Sequence, residues 1–150
     1  MGETMDQVYP RLATLDLEIS GYRTERHELD VSSGFRRVTT EVVLTGAGLE
    51  GRGEDVTYQA EDHDDYPAAL PVAGRWTLDS YSAHLETLDL FPGRAPQDGS
   101  SRYHRRWAFE SAALDLALRQ RGSSLGDAVR RTYAPVRFVL STRLDIKPWL

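Results

Sequence analysis

YHRRWAFESAALDLALRQRGSSLGDAVRRTYAPVRFVLSTRL, residues 103–144, decides the fold. Trp107, Leu114 and Leu118 recur as one helical row, thickened by Phe109, Ala112, Ala113, Leu116 and Ala117. The pattern predicts a long helix started by Ser100 or Ser101 and stopped at Gly122, a residue free to take the left-handed conformation. So many alanines predict close approach to a neighbouring element. Ser123 or Ser124 then caps a short helix through Leu125, Ala128 and Val129. Over 134–144 the chain turns β-branched and aromatic. Val136, Phe138, Val139 and Leu140 predict a strand buried on both faces, the kind found in parallel sheets, and the upstream sequence offers it no partner.

Upstream, the opening MGETMDQVYPRLA predicts a loosely ordered start, so 1–14 is set apart. Leu15, Leu17 and Ile19 alternate as in a strand, and Gly21 marks a bend or bulge within the stretch 15–29. Ser32-Ser33-Gly34 is turn chemistry between two extended segments. TTEVVLTGAGLEGRGED (39–55) predicts a hairpin around Gly46, Ala47 and Gly48, with Gly51 and Gly53 also read as turn residues. The first third therefore reads as a three-stranded antiparallel sheet. EDHDDYPAAL (61–70) predicts an acidic, solvated loop whose Asp64 or Asp65 caps a short helix at Pro67. Thr77 caps a further helix carrying Leu78, Tyr81, Leu85 and Leu88 on one face, and GRAPQDGSS (93–101) is a loop. Strands followed by helices predict an α+β fold with helices packed on one sheet face.

At 150 residues and 40% hydrophobic content, the chain holds enough material for one domain with a real core. There is no run of 18 apolar residues and no basic-then-apolar leader, which predicts neither a membrane span nor a signal peptide and reads as cytoplasmic. Zero cysteines exclude disulfides and thiolate metal sites. The net charge of −5 divides into an acidic part up to Gly99 and a basic remainder. Arg102, Arg105, Arg106, Arg119, Arg121, Arg130 and Arg131 spread around two helices rather than tracking one stripe, which argues against nucleic acid.

Three motifs, GRGED (51–55), FESAALDLALRQRGSSLGDAV (109–129) and APVRFVLSTRL (134–144), resemble in order and spacing the capping domain and first barrel strand of the enolase superfamily, in its mandelate racemase and muconate-lactonising branch. The resemblance implies that 15–134 is the N-terminal capping domain and 135–150 the first strand of a truncated (β/α)8 barrel. Members abstract the proton α to a carboxylate, with the enediolate stabilised by a Mg2+ bound to barrel carboxylates. The implied partners are the missing C-terminal barrel and a small carboxylate substrate, with homo-oligomerisation possible; neither a membrane nor nucleic acid is implied. No catalytic residue and no metal ligand carries over to this chain, and Lys147, its only lysine, stands where no family base belongs. By strand order, the two loops that close over the substrate correspond to DVSSGFRR (30–37) and DVTYQAED (55–62). The implied substrate-contacting residues are Ser32, Ser33, Phe35, Thr57 and Tyr58, joined by Ser141 at the end of the barrel strand.

Other readings are weaker. Glu61, Asp62, His63, Asp64 and Asp65 crowd carboxylates around an imidazole, yet without a spaced ligand loop they read as helix-capping charges. A complete small enzyme would have to use Asp62, His63 or Asp64. His27, His63, His84 and His104 form no i, i+4 pair. Trp76 and Trp107 read as core anchors. The rival to the capping domain is a stand-alone α+β module that binds a ligand or partner without catalysis.

Overall fold

A 21-residue helix lies directly across a three-stranded antiparallel sheet, and the glycines of one strand let it do so. The computed structural model describes residues 8–31 and 34–139. Its elements run α1 (Val8–Ala13), β1 (Asp16–Ile19), β2 (Gly21–Asp30), β3 (Arg36–Gly46), β4 (Leu49–Asp55), a 3-10 turn (Ala60–His63), β5 (Gly74–Thr77), α2 (Leu78–Glu86), α3 (Ser101–Arg121) and α4 (Leu125–Ala128). The fold is α+β, as expected. The main sheet has order β2-β3-β4, and a separate antiparallel pair joins β1 to β5.

Side chains alternate between the two faces of a strand. Val42 and Leu44 of β3 therefore face α3, and the register places Gly53 opposite Val42 and Gly51 opposite Leu44. A Cβ on Gly53 would lie 2.1 Å from the Ala108 carbonyl oxygen, and one on Gly51 2.3 Å from that of Ala112. Both glycines thus sit in mid-strand beneath the helix backbone, and only Ala47 and Gly48, with φ of 50° and 77°, form the hairpin turn. Ala108, Ala112 and Leu116 recur every four residues to make the matching helix face. Leu15, just before β1, Leu17 and Ile19 of β1, Tyr81 and Leu85 of α2, and Phe91 also belong to the core.

The helix ends follow local rules in part. Thr77 and Ser80 form a reciprocal capping box at α2, as Ser124 and Asp127 do at α4. Gly122 closes α3 with φ of 64°. Neither serine caps the start of α3, however: Asp98 accepts the Ser100 N–H at 2.7 Å, while the Ser101 hydroxyl donates to Asp62. Hydrogen bonding from Ser100 holds the Asp98 carboxyl below its usual range.

Other expectations change. The stretch 15–29 divides at Ser20 into strands of two different sheets. β5, the partner of β1, is too short to carry a period-two signal: it has four residues, the last of them the Thr77 cap itself. No helix forms at Pro67; the 3-10 turn precedes it. The second helix ends at Glu86, short of Leu88, which still packs against the core. Trp76 is half-buried, its indole N–H donating to the Val72 carbonyl. Trp107 is no core anchor: it is 62% exposed on the side of α3 turned from the sheet. Residues 134–139 form neither strand nor helix among the described residues, and Phe138 and Val139 are 90% and 95% exposed. An extended apolar segment without a ladder partner has nothing to satisfy its backbone or cover its side chains; positions 140–144 of the expected strand lie outside the described residues. No helix among the described residues is long and apolar enough to cross a membrane.

Candidate functional site

The two loops singled out by strand order meet at one end of the main sheet. The β2-β3 connection is closed by the Val31 N–H on the Phe35 carbonyl at 2.9 Å and the Gly34 N–H on that of Val31 at 3.0 Å. This turn delivers Phe35 to the Tyr58 ring, with centroids 5.2 Å apart and planes 20° from parallel. Phe35 is 36% and Tyr58 65% exposed, so the stacked pair presents an aromatic plate to solvent. Ser32, Ser33 and Ser141 lie outside the described residues.

Thr57 belongs beneath this plate and not on it. It is buried, and its N–H and hydroxyl both donate to Asp55 Oδ1, at 3.0 and 2.6 Å. The hydroxyl is thereby used internally, and Thr57 positions Tyr58 instead of offering a donor to a ligand. Asp55 itself ends β4 with no solvent exposure. Its second oxygen accepts from Tyr66 Oη at 3.2 Å and from Arg105 Nε at 3.3 Å.

Arg105 is the anchor of the whole end of the molecule. Its side chain is completely buried, sandwiched 3.6 Å from the Phe91 ring centroid and 4.0 Å from that of Tyr66. Its remaining N–H groups donate to the carbonyls of Leu90, Asp65 and Asp62. A buried guanidinium is tolerated because each of its three nitrogens donates to an acceptor and two aromatic rings lie against it. Burial first, and then the Asp55 charge, hold the Tyr66 phenol well above its ordinary value, partly offset by Arg105.

The acidic segment is solvated only in part: Glu61, Asp64 and Asp65 are exposed, as expected, whereas its middle turns inward. Asp62 is buried and accepts from the Gln97 N–H and the Ser101 hydroxyl. His63 is buried as well, with Nδ1 2.9 Å from Thr40 Oγ1 and Nε2 3.0 Å from the Thr57 carbonyl. A carbonyl can only accept, so Nε2 carries a proton toward Thr57, and in the neutral ring Nδ1 accepts from Thr40. Both ring nitrogens are engaged in holding the Tyr58 loop to β3, which leaves neither for a metal. Arg94 ties Asp65 at 2.8 Å and also donates to the Glu61 carbonyl.

Sequence reasoning missed Arg105 and Asp55. Arg105 stands four residues after Ser101 and four before Phe109, on the row that also holds Ala108 and Ala112, and a charge on a buried row was the available signal. Among the described residues, the three metal-ligating side chains that approach one another lie elsewhere, on the far face of the sheet: Glu25, His27 and Glu41.

The family described as the N-terminal domain of a domain of unknown function, DUF8230, matches residues 10–128, and the chain belongs to it. No curated protein and no solved structure matches the chain.

Proposed function

We propose that this domain is a specificity cap of the enolase-superfamily type, working beside a barrel that carries out proton abstraction α to a carboxylate. The observation that carries the reading is the contact between Phe35 and Tyr58: two loops far apart in sequence present one aromatic surface at the end of the sheet where a cap would close over substrate. Support also comes from the order of elements, a sheet hairpin, a long helix, a glycine stop and a short helix, and from the uncovered apolar residues at 136, 138 and 139, which suit an adjoining layer. The family's description as an N-terminal domain fits a unit with a second one beside it. In this reading the Mg2+, its carboxylate ligands and the lysine bases belong to the barrel, and the cap selects a small carboxylate with an apolar portion that stacks on Phe35 or Tyr58.

The test is solvent deuterium exchange at the α carbon of a panel of carboxylates, followed by NMR, using the domain joined to the sequence that follows it in its genes. Exchange that requires Mg2+ and changes substrate preference in Phe35→Ala or Tyr58→Ala supports the reading. Exchange in no member of the panel, or exchange indifferent to Mg2+, overturns it.

One observation favours the rival module. Among the described residues twenty hydrophobic ones are buried, so the fold encloses a core of its own. In that case the isolated chain is monodisperse by light scattering and melts cooperatively, and no exchange accompanies it.

A further inference from the structure

The sheet face turned away from α3 carries more carboxylates than its arginines can serve. By alternation along β2, β3 and β4, the side chains on the middle of this face are Arg23, Glu25 and His27, then Thr39, Glu41 and Val43, then Glu50, Arg52 and Glu54, with Leu29 and Arg37 toward one end. The register sets Glu25 directly opposite Glu41, and Glu41 directly opposite Glu54. Like charges facing each other across a ladder destabilise it unless a cation lies between them. Arg23 binds Glu25 at 3.0 Å and Glu50 at 2.8 Å. Arg52 binds Glu41 at 2.7 Å and Glu50 at 3.0 Å, and the nitrogen on Glu41 also stands 3.7 Å from Glu25, so that in the absence of an ion Arg52 is the cation between Glu25 and Glu41. Glu54 has no cation partner among the described residues. Two guanidiniums thus face four carboxylates, and the next arginine on this face, Arg37, stands four residues along β3 from Glu41. Over the middle of the ladder the formal excess is therefore two negative charges, the charge a divalent ion would balance.

The ligand atoms for such an ion are in place. Glu25, His27 and Glu41 each offer one, all within 4.8 Å of one another, and His27 Nε2 stands 3.7 Å from Glu41 Oε2. Two ligands about 2.1 Å from one ion at tetrahedral angles lie about 3.4 Å apart, so small rotamer adjustments suffice. The residues sit on paired strands of ten and eleven residues, a rigid base for a site. An imidazole beside two carboxylates suits a borderline transition ion more than Mg2+, which prefers oxygen donors and retains its waters.

We propose that Glu25, His27 and Glu41 form a site for a divalent transition ion of the zinc type. The ion bridges β2 to β3 midway along their ladder, with Arg52 as the competing cation that turns wholly to Glu50 when the ion binds. This site is independent of the Mg2+ assigned above to a barrel.

The experiment is calorimetric titration of the full chain with Zn2+ and, separately, Mg2+, repeated on His27→Ala and Arg52→Gln. One Zn2+ per chain is expected, with no Mg2+ heat, binding weakened about tenfold or more in H27A, and binding severalfold tighter in R52Q. Failure of Zn2+ to bind overturns the site. So does Zn2+ binding unchanged in H27A, which would place the ion on another histidine. An R52Q chain that binds Zn2+ less well would show that the arginine supports the ion and would overturn the competition. Both substituted positions, His27 and Arg52, are exposed, and circular dichroism of each variant verifies its fold.

Discussion

Arg105 and Asp55 pair at 3.3 Å with neither side chain exposed to solvent, although fifty residues separate them. The pair joins the first turns of α3 to the last residue of β4, and Asp55 in turn holds the turn that positions Tyr58. Charges taken out of water interact strongly only when each is fully satisfied, and here the carboxylate has four donors and the guanidinium three carbonyls and two rings.

Arg105→Met should therefore destabilise the domain by about 3–5 kcal/mol, because it strands a buried carboxylate. The double variant Arg105→Met with Asp55→Asn should be less damaged than the single one. Urea unfolding measures both, and a single-variant loss below about 1 kcal/mol would mean that the carboxylate escapes to water.

Gly53→Ala should cost about 3 kcal/mol or more, the upper end for overpacking, since the new methyl meets the backbone of α3 and not a pliable side chain. Gly99→Ala, with nothing within 4 Å of the new Cβ, should stay within about 0.5 kcal/mol. Equal thermal shifts for the two would refute the close-packing role.

The Tyr81 hydroxyl is buried and finds no hydrogen-bond partner among the described residues. Tyr81→Phe should accordingly stabilise the fold by about 1 kcal/mol while leaving its T-shaped contact with Trp76 intact. A lowered melting temperature in this variant would contradict the assignment.

Alkaline pH should weaken the fold. Burial pushes the phenols of Tyr66 and Tyr81 up, with Asp55 adding to the first and Glu110 to the second. A folded-state value above the unfolded value near about 10 means that the protonated form is favoured by folding. The contribution is fully present below about pH 10 and is lost as pH rises through the folded values. Melting temperatures taken above about pH 10 should fall steadily, and less steeply in Tyr66→Phe; a flat profile would show that the phenols ionise without opening the core.

How much was legible follows from the range of the interactions. Thr77, Ser124 and Gly122 act on their own helix ends, and their roles could be read from neighbours three or four residues away. The three antiparallel strands were readable for the same reason. β5 was not, because it is defined only by β1, almost sixty residues earlier. Asp62 looks as solvated as Glu61, Asp64 and Asp65 beside it, which are exposed, since nothing local announces that Arg105, Ser101 and Gln97 will come to cover it. Trp107 failed for a geometric reason: it lies on the flank of the helix opposite Ala112, and hydrophobicity alone does not give the direction of a side chain. Of the candidate residues, Phe35 and Tyr58 stack on each other, a contact that nothing local in the sequence announces, and the inward turn of Thr57 depends on Asp55.

Gln120, near the end of α3, carries its own consequence. Its side-chain amide accepts the Glu18 N–H at 2.9 Å and donates to the Glu18 carbonyl at 2.8 Å, copying the pair of bonds a neighbouring strand would make. β1 has β5 on one side, and on the other it would offer a bare row of backbone groups to any passing chain. One glutamine plugs that row at its centre. The molecule thereby guards against templated association with other copies at the one place where its two sheets fail to merge.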